Sequence, residues 1–236
     1  RSEHPEFKLG CIPSEKDIRD YPCTSTVTKE LPIRGGITNL PPIRNQLSIG
    51  SCASHAAISL IEIQLLNQNN GRRYLELSEL YHYYNARKFI NNSFPNDSGM
   101  CIRDACKTLD KYHAAMEYAW GYDTNKFYEE PPYWAYMTSG AYKIKSYEVI
   151  WDKELIKASL VEGIPVMCGI WCHKSFFNLT SENYLYKIAG DKVGGHAVTI
   201  CGYDNKKGTF LFRNSWGKYH GKEGYFEMTY EDFIKF

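Results

Sequence analysis

The stretch Gln46-Leu47-Ser48-Ile49-Gly50-Ser51-Cys52-Ala53, with the run that follows it to Gln68, decides how the chain is read. From Cys52 onward, Ala53, Ala56, Ala57, Leu60, Ile61, Ile63, Leu65 and Leu66 cover most of a helical cylinder. A helix apolar on nearly all sides is one buried in a core. Ser51 is placed to cap its first turn, and Gly71 follows its end. Cys52 therefore falls at the N-terminal tip of a buried helix, where free N–H groups favour a thiolate over a thiol. Most cysteines are small apolar core residues, so this position alone assigns no chemistry.

Working outward, the first 30 residues are polar and without period, and Pro13, Pro22, Cys11 and Cys23 make them a loop-rich leader. Residues 31–50 carry Pro32, Gly35, Gly36, Pro41 and Pro42 and read as extended chain and turns. A second helix is predicted to start near Ser78. A third covers Ile102 to His113, with Ile102, Ala105, Cys106, Leu109 and Tyr112 on one stripe. After a short helix near Asp152–Glu162 the pattern becomes strand-like: Ile164–Trp171, His196–Tyr203, Thr209–Arg213 and Tyr225–Tyr230. Helices first and strands second predict an α+β fold of two subdomains, with a cleft between them as the natural place for a site.

Two further motifs join Cys52. Gly194-Gly195-His196-Ala197-Val198 puts a histidine at a strand start, after two glycines that let another backbone approach. Arg213-Asn214-Ser215-Trp216-Gly217 puts an asparagine at a strand end, 18 residues later. A histidine paired to a distant cysteine is the recurring way to activate a thiol. An amide oxygen can fix that histidine's tautomer, with Trp216 shielding the bond. His196 lies 144 residues after Cys52, inside the 130–150 window of papain-like enzymes, and Asn214, at 162, slightly beyond it. Gln46 stands six residues before the cysteine.

On these residues the chain resembles the papain and cathepsin family over most of residues 31–236. The resemblance implies a papain-like two-subdomain fold: a helical half, about 31–140, and an antiparallel β-barrel-like half, about 141–236, with the active site between them. It implies Cys52 as nucleophile, His196 as general base and then acid, Asn214 as the orienting group, and Gln46 with the Cys52 N–H as oxyanion hole. The segment Asn96-Asp97-Ser98-Gly99-Met100 looks like the family's glycine stretch, so Ser98, Gly99 and Met100 are expected beside bound substrate. Met100, Gly169, Gly195 and Ala197 are expected to line an apolar specificity pocket, and Trp216 to border the cleft. Family members usually carry a cysteine three residues before the nucleophile, bonded to one just before the glycine stretch. Ile49 and Asn96 stand there, so that disulfide is absent as a pair. Together with Leu9-Gly10-Cys11-Ile12-Pro13, Asp17 and Asp20, this resembles a minimal branch from bacteria, archaea and large viruses, with a short leader in place of a long propeptide. The Gly-Gly-His-Ala run is cathepsin B-like. The histidine pair of cathepsin B's exopeptidase loop is missing from the region after Gly99, so endopeptidase action is expected.

Partners follow from the same reading: protein or peptide substrates, and residues 1–30 as an intramolecular inhibitor of a zymogen. The net charge of +1 points to neither nucleic acid nor an anionic membrane, and no apolar run reaches the roughly 20 residues that span a bilayer. No cofactor and no metal is expected. Cys168, Cys172 and His173 have ligand chemistry, but buried thiols account for them, because no second pair stands at finger spacing. Eight cysteines less one nucleophile leave seven, so at least one more is free or bonded elsewhere. Cys11 and Cys23 are spaced to close a leader loop, whereas Cys101 and Cys106 face apart on one helix. No signal peptide is visible at Arg1, and a secreted, lysosome-like or virion-associated setting is favoured over the cytosol. Two rival functions stay open: acyl transfer or peptide ligation by the same thiol, and a catalytically silent binding protein on the same scaffold.

Overall fold

The structure is a computed structural model that describes residues 7–15, 17, 18, 20–24, 27 and 30–234. The remaining positions of the expected leader, and the last two residues, lie outside it.

The long helix α1 spans Cys52–Gln68, as its apolar pattern predicts, and its residues are buried on nearly every side. Ser51 holds the N-cap position but does not cap with its side chain. Its hydroxyl is taken by Tyr122, whose phenol oxygen lies 2.6 Å away. At the other end the Gly71 N–H returns to the Leu66 carbonyl (2.8 Å). Helix α2 (Glu79–Asn85) starts at Ser78, whose hydroxyl accepts the Tyr81 N–H. Helix α3 covers Ile102–Tyr112. A further helix, α4 (Tyr133–Ser139), follows from a segment with no clear stripe. Helix α5 (Lys153–Val161) is capped by Asp152, which accepts the N–H groups of Glu154 and Leu155. The chain closes its described part with α6 (Tyr230–Phe233).

Five antiparallel strands form one sheet: β1 (Arg34–Gly36), β2 (Val166–His173), β3 (Lys192–Asp204), β4 (Thr209–Arg213) and β5 (Tyr225–Thr229). The centre is β3, which pairs with β1, β2 and β4, and β4 pairs with β5. The strand containing His196 begins earlier than the sequence pattern indicates, at Lys192, because Gly194 and Gly195 continue the pairing with Cys172 and Trp171. His196 is thus an interior residue of β3, opposite Ile170.

Two large apolar cores result, beside a small cluster of Tyr81, Ala115, Ala119 and Ala135. One gathers α1, α2 and α3 around Ile58, Leu77, Leu80 and Leu109. The other lies under the sheet around Ile170, Phe176, Ile200, Phe212 and Phe226. Cys52 and Ala197 both belong to the helical core, so the tip of α1 and the start of the buried part of β3 meet where the two halves join. Among the described residues, no helix is long and apolar enough to cross a membrane.

Candidate functional site

Cys52 sits in the first turn of α1 and is fully buried. Its sulfur accepts the N–H of Ala197 at 3.5 Å, the residue directly after His196. His196 is fully buried as well. Its Nε2 lies 2.7 Å from Asn214 Oδ1. An amide oxygen only accepts, so Nε2 carries the proton and Nδ1 is a bare lone pair. That Nδ1 meets no hydrogen-bond partner among the described residues. The imidazole is therefore in the tautomer a base needs, with its free nitrogen in a dry site. Trp216 packs on the ring with centroids 4.5 Å apart and keeps water from the His196–Asn214 bond.

Asn214 follows β4 and is held there by its backbone, whose N–H donates to the Gly224 carbonyl (3.0 Å). The turn after it, from Gly217 to Gly221, has both glycines at positive φ and carries His220 back toward Asn214. His220 Nδ1 lies 3.0 Å from Asn214 Nδ2, and its Nε2 lies 2.8 Å from the Phe176 carbonyl. Nothing in the sequence reading singles out His220; its spacing of six from Asn214 matches neither a helix nor a strand face.

Gln46 is buried beside this group. Its Oε1 accepts the Ser215 hydroxyl (2.7 Å), and its backbone N–H donates to the Ser215 carbonyl (2.8 Å). Its amide Nε2 donates to two carbonyls, Ile49 at 3.0 Å and Lys8 at 3.0 Å. Lys8 belongs to the leader, and the residues after it continue through the cleft. Met100 donates its N–H to the Gly10 carbonyl (3.0 Å) and accepts from Ile12 N–H (3.2 Å). Cys11 N–H donates to the Gly195 carbonyl (3.1 Å). Gly10 passes close enough to the Cys52 sulfur for its backbone to act on the thiol, favouring the charged form. Phe7 stacks on Trp216, with centroids 4.7 Å apart.

The fit of this strand depends on glycine. A Cβ on Gly10 would lie 2.2 Å from the Gly50 carbonyl oxygen, and one on Gly99 would lie 2.0 Å from the Gly10 oxygen. Farther along, the leader is tied by Arg103, which donates to both Asp20 carboxylate oxygens (2.7 and 2.6 Å), and by backbone bonds between Tyr21, Cys23 and Val149.

Burial under the leader reverses the electrostatic expectation for the thiol. Desolvation pushes Cys52 up to about 11, against the lowering effect of the N–H groups of Ala197, Ala53, Gly10 and Cys52 itself. Burial likewise lowers His196 to about 3, although its bond to Asn214 acts the other way. With the leader in place, burial favours the neutral forms of both groups and acts against the thiolate that the helix tip favours.

The remaining expected residues fall as follows. Gly169 is the register partner of Ala197, and Gly195 that of Trp171; the Gly195 and Met100 backbones both bond to the leader. Ser98 makes its side-chain bonds locally, to Ser93 and Gly99. All eight cysteines are free thiols, so the leader loop that Cys11 and Cys23 were spaced to close is not formed. Cys11 is held in the cleft while Cys23 pairs with Val149, which draws the two apart along the molecule. Where the resemblance implies a lost disulfide between positions 49 and 96, Asp97 bridges the same loops. It accepts the Gly50 N–H (2.8 Å) and the Tyr83 hydroxyl (2.5 Å). On β2, Cys168 is half-buried and Cys172 buried, and His173 Nδ1 lies 3.1 Å from the Tyr186 hydroxyl.

Comparison with known proteins agrees with this geometry. The family model of papain family cysteine proteases matches residues 28–233. A peptidase C1-like protein of Acanthamoeba polyphaga mimivirus is 33% identical over 211 residues, 83% of this chain and 67% of that protein. Cathepsin B-like protease 1 of Arabidopsis thaliana is 31% identical over 90 residues, 37% of this chain and only 24% of its own length. Xylellain, a cysteine protease from Xylella fastidiosa, superposes with a TM-score of 0.84 at 31% identity, over 94% of this chain and 90% of that structure. The chain belongs to the papain family of cysteine proteases.

Proposed function

We propose that the chain is a cysteine endopeptidase held as a zymogen by its own leader. Cys52 attacks the scissile carbonyl and forms a thioester. His196 Nδ1 takes the thiol proton and passes it to the leaving amine, and Asn214 keeps the other ring proton on Nε2. Gln46 Nε2 and the Cys52 N–H receive the developing oxyanion. A water activated by His196 then releases the acyl group.

The observation that carries the zymogen reading is the path of Lys8 to Ile12. It takes up the Gln46 amide, the Cys52 sulfur and the Met100 backbone at once, the three features a substrate needs. The leader thereby occupies the features that a substrate would use. Gly169, Gly195, Ala197 and Met100 leave a small apolar lining, and an apolar or aromatic residue two positions before the scissile bond is the preferred substrate.

The test compares the full chain with one lacking residues 1–30, at equal folded concentration, on a peptide blocked at both termini. The shortened chain turns the peptide over and the full chain is slow. Equal rates would end the zymogen reading, and cleavage only of free C-termini would end the endopeptidase one.

A further inference from the structure

Asn214 uses its amide on two sides. Oδ1 receives the His196 Nε2–H (2.7 Å) and the backbone N–H of Ser215 (2.8 Å). Nδ2 faces His220 Nδ1 at 3.0 Å. An amide in such a site can be turned over by rotation about its last bond. Turned over, it would set its NH2 group against two donors and leave its oxygen toward His220.

The state of His220 decides between the two. Its ring is 3% exposed and enclosed by Phe7, Phe176 and Trp216, with centroids 5.3, 5.0 and 4.8 Å away. Its Nε2 lies 2.8 Å from the Phe176 carbonyl oxygen, which has no proton to give. Nε2 must therefore be the N–H, and in the neutral ring Nδ1 is left as an acceptor. Burial lowers His220 to about 4, so the ring is neutral at ordinary pH. Only the NH2 edge of Asn214 satisfies that acceptor.

We propose that His220 is a positioning residue: its Nδ1 locks the Asn214 amide with Oδ1 toward His196, and so holds the His196 proton on Nε2 and leaves His196 Nδ1 as a bare lone pair. Proton placement then runs in one direction, from the Phe176 carbonyl through His220 and Asn214 to the base. The role assigned to the His196 lone pair rests on the peptidase reading above. The locking of the tautomer does not. A buried donor turned against a donor forfeits its bond and stays desolvated, so the locked arrangement is favoured without any substrate present.

The experiment is nuclear magnetic resonance on the full chain with 15N-labelled histidine and asparagine at neutral pH, which needs no turnover. The native protein shows His196 protonated at Nε2 only, with a slowly exchanging ring proton, and a scalar coupling across the bond from Asn214 Nδ2 to His220 Nδ1. In His220→Phe the His196 ring proton exchanges about tenfold faster or more, the size expected for one lost bond in the buried chain. His220→Gln, whose amide can accept from Asn214 and donate to Phe176, restores slow exchange and the single tautomer. The proposal is overturned by a folded His220→Phe with unchanged exchange and tautomer, or by His220→Gln behaving like His220→Phe. Should His220→Phe fail to fold, a missing coupling between Asn214 and His220 in the native protein overturns it equally. A full chain with the expected tautomer, whose form lacking residues 1–30 has no peptidase activity, would refute the proposed function while leaving this inference standing.

Discussion

Gln46 Nε2 donates to the backbone carbonyl of Lys8 at 3.0 Å, so the amide expected to hold an oxyanion is engaged by the chain's own leader. One side chain thus serves two opposed states. In the covered protein it binds the leader. In the open enzyme proposed above it would bind the transition state. Gln46→Ala should therefore act in opposite directions. In the chain freed of residues 1–30, turnover of a blocked peptide falls about 10²–10³-fold, the usual effect of removing one oxyanion-hole donor. In the full chain the same change removes a hydrogen bond that holds the leader, so Cys52 labels faster with iodoacetamide. Slower labelling of the full-chain variant would show that Lys8 does not depend on this donor.

Gly10 carries the second prediction. Its absent side chain is what lets the leader pass under the Gly50 carbonyl, and any Cβ there lies too close to the backbone for a flexible neighbour to yield. Gly10→Val should expel Lys8–Ile12 from the cleft, withdrawing Cys11 and Leu9 from the edges of the two cores but no residue of a helix or strand. Its effect is readable through the thiol. In the covered chain desolvation places Cys52 at about 11, so at pH 8 only on the order of one sulfur in a thousand is a thiolate. Alkylation of the native chain should keep rising as pH increases toward that value. Once water and the α1 tip reach the sulfur, the charged form is favoured and the profile shifts to lower pH. Mass spectrometry of Cys52 adducts across pH 6–10 measures both. Superimposable profiles for native chain and variant would mean that the leader does not set the state of the thiol.

The protein shows which structural information a lone sequence carries. Helix α1 was legible because a 17-residue segment apolar on nearly all sides fits only a buried helix. Its Ser51 cap was not, because Tyr122, 71 residues away in sequence, claims the hydroxyl. The order of Cys52, His196 and Asn214 was legible as a spacing, and the structure gathers them where the tip of α1 meets β3. A leader lying across the cleft was expected from the resemblance, but its residue-by-residue register was not legible, since it is held by backbone bonds at Gly10, Cys11 and Ile12 that leave no side-chain pattern. Helix α4 was missed for a related reason: Tyr133, Trp134 and Met137 are exposed, so its apolar residues trace no buried stripe. The thiol's burial was not legible, because the helix tip is visible in the sequence and what covers it is not.

Arg44 carries the last prediction, away from the reacting atoms. Its guanidinium donates to Glu62 (2.8 Å) and Glu79 (3.1 Å), two carboxylates almost wholly removed from water. Its backbone carbonyl accepts the Gly217 N–H (3.0 Å), which ties the Gln46 segment to the turn after Asn214. Desolvation raises both carboxyls to about 7, and Arg44 opposes that rise. Arg44→Met fills similar space but leaves the carboxyls without their counter-charge, a change that typically costs about 3–5 kcal/mol. The sign of the pH dependence follows. A carboxyl whose folded pKa exceeds its unfolded value favours folding below the unfolded value, and that contribution is lost as pH rises through the folded one. Removing Arg44 raises the folded values further, so the deficit should be largest near pH 8 and shrink toward pH 5, where both carboxyls are neutral. Urea unfolding of the native chain and Arg44→Met at pH 5 and pH 8 tests this. A deficit that is equal at both pH values, or larger at pH 5, would show that Arg44 contributes packing and not charge.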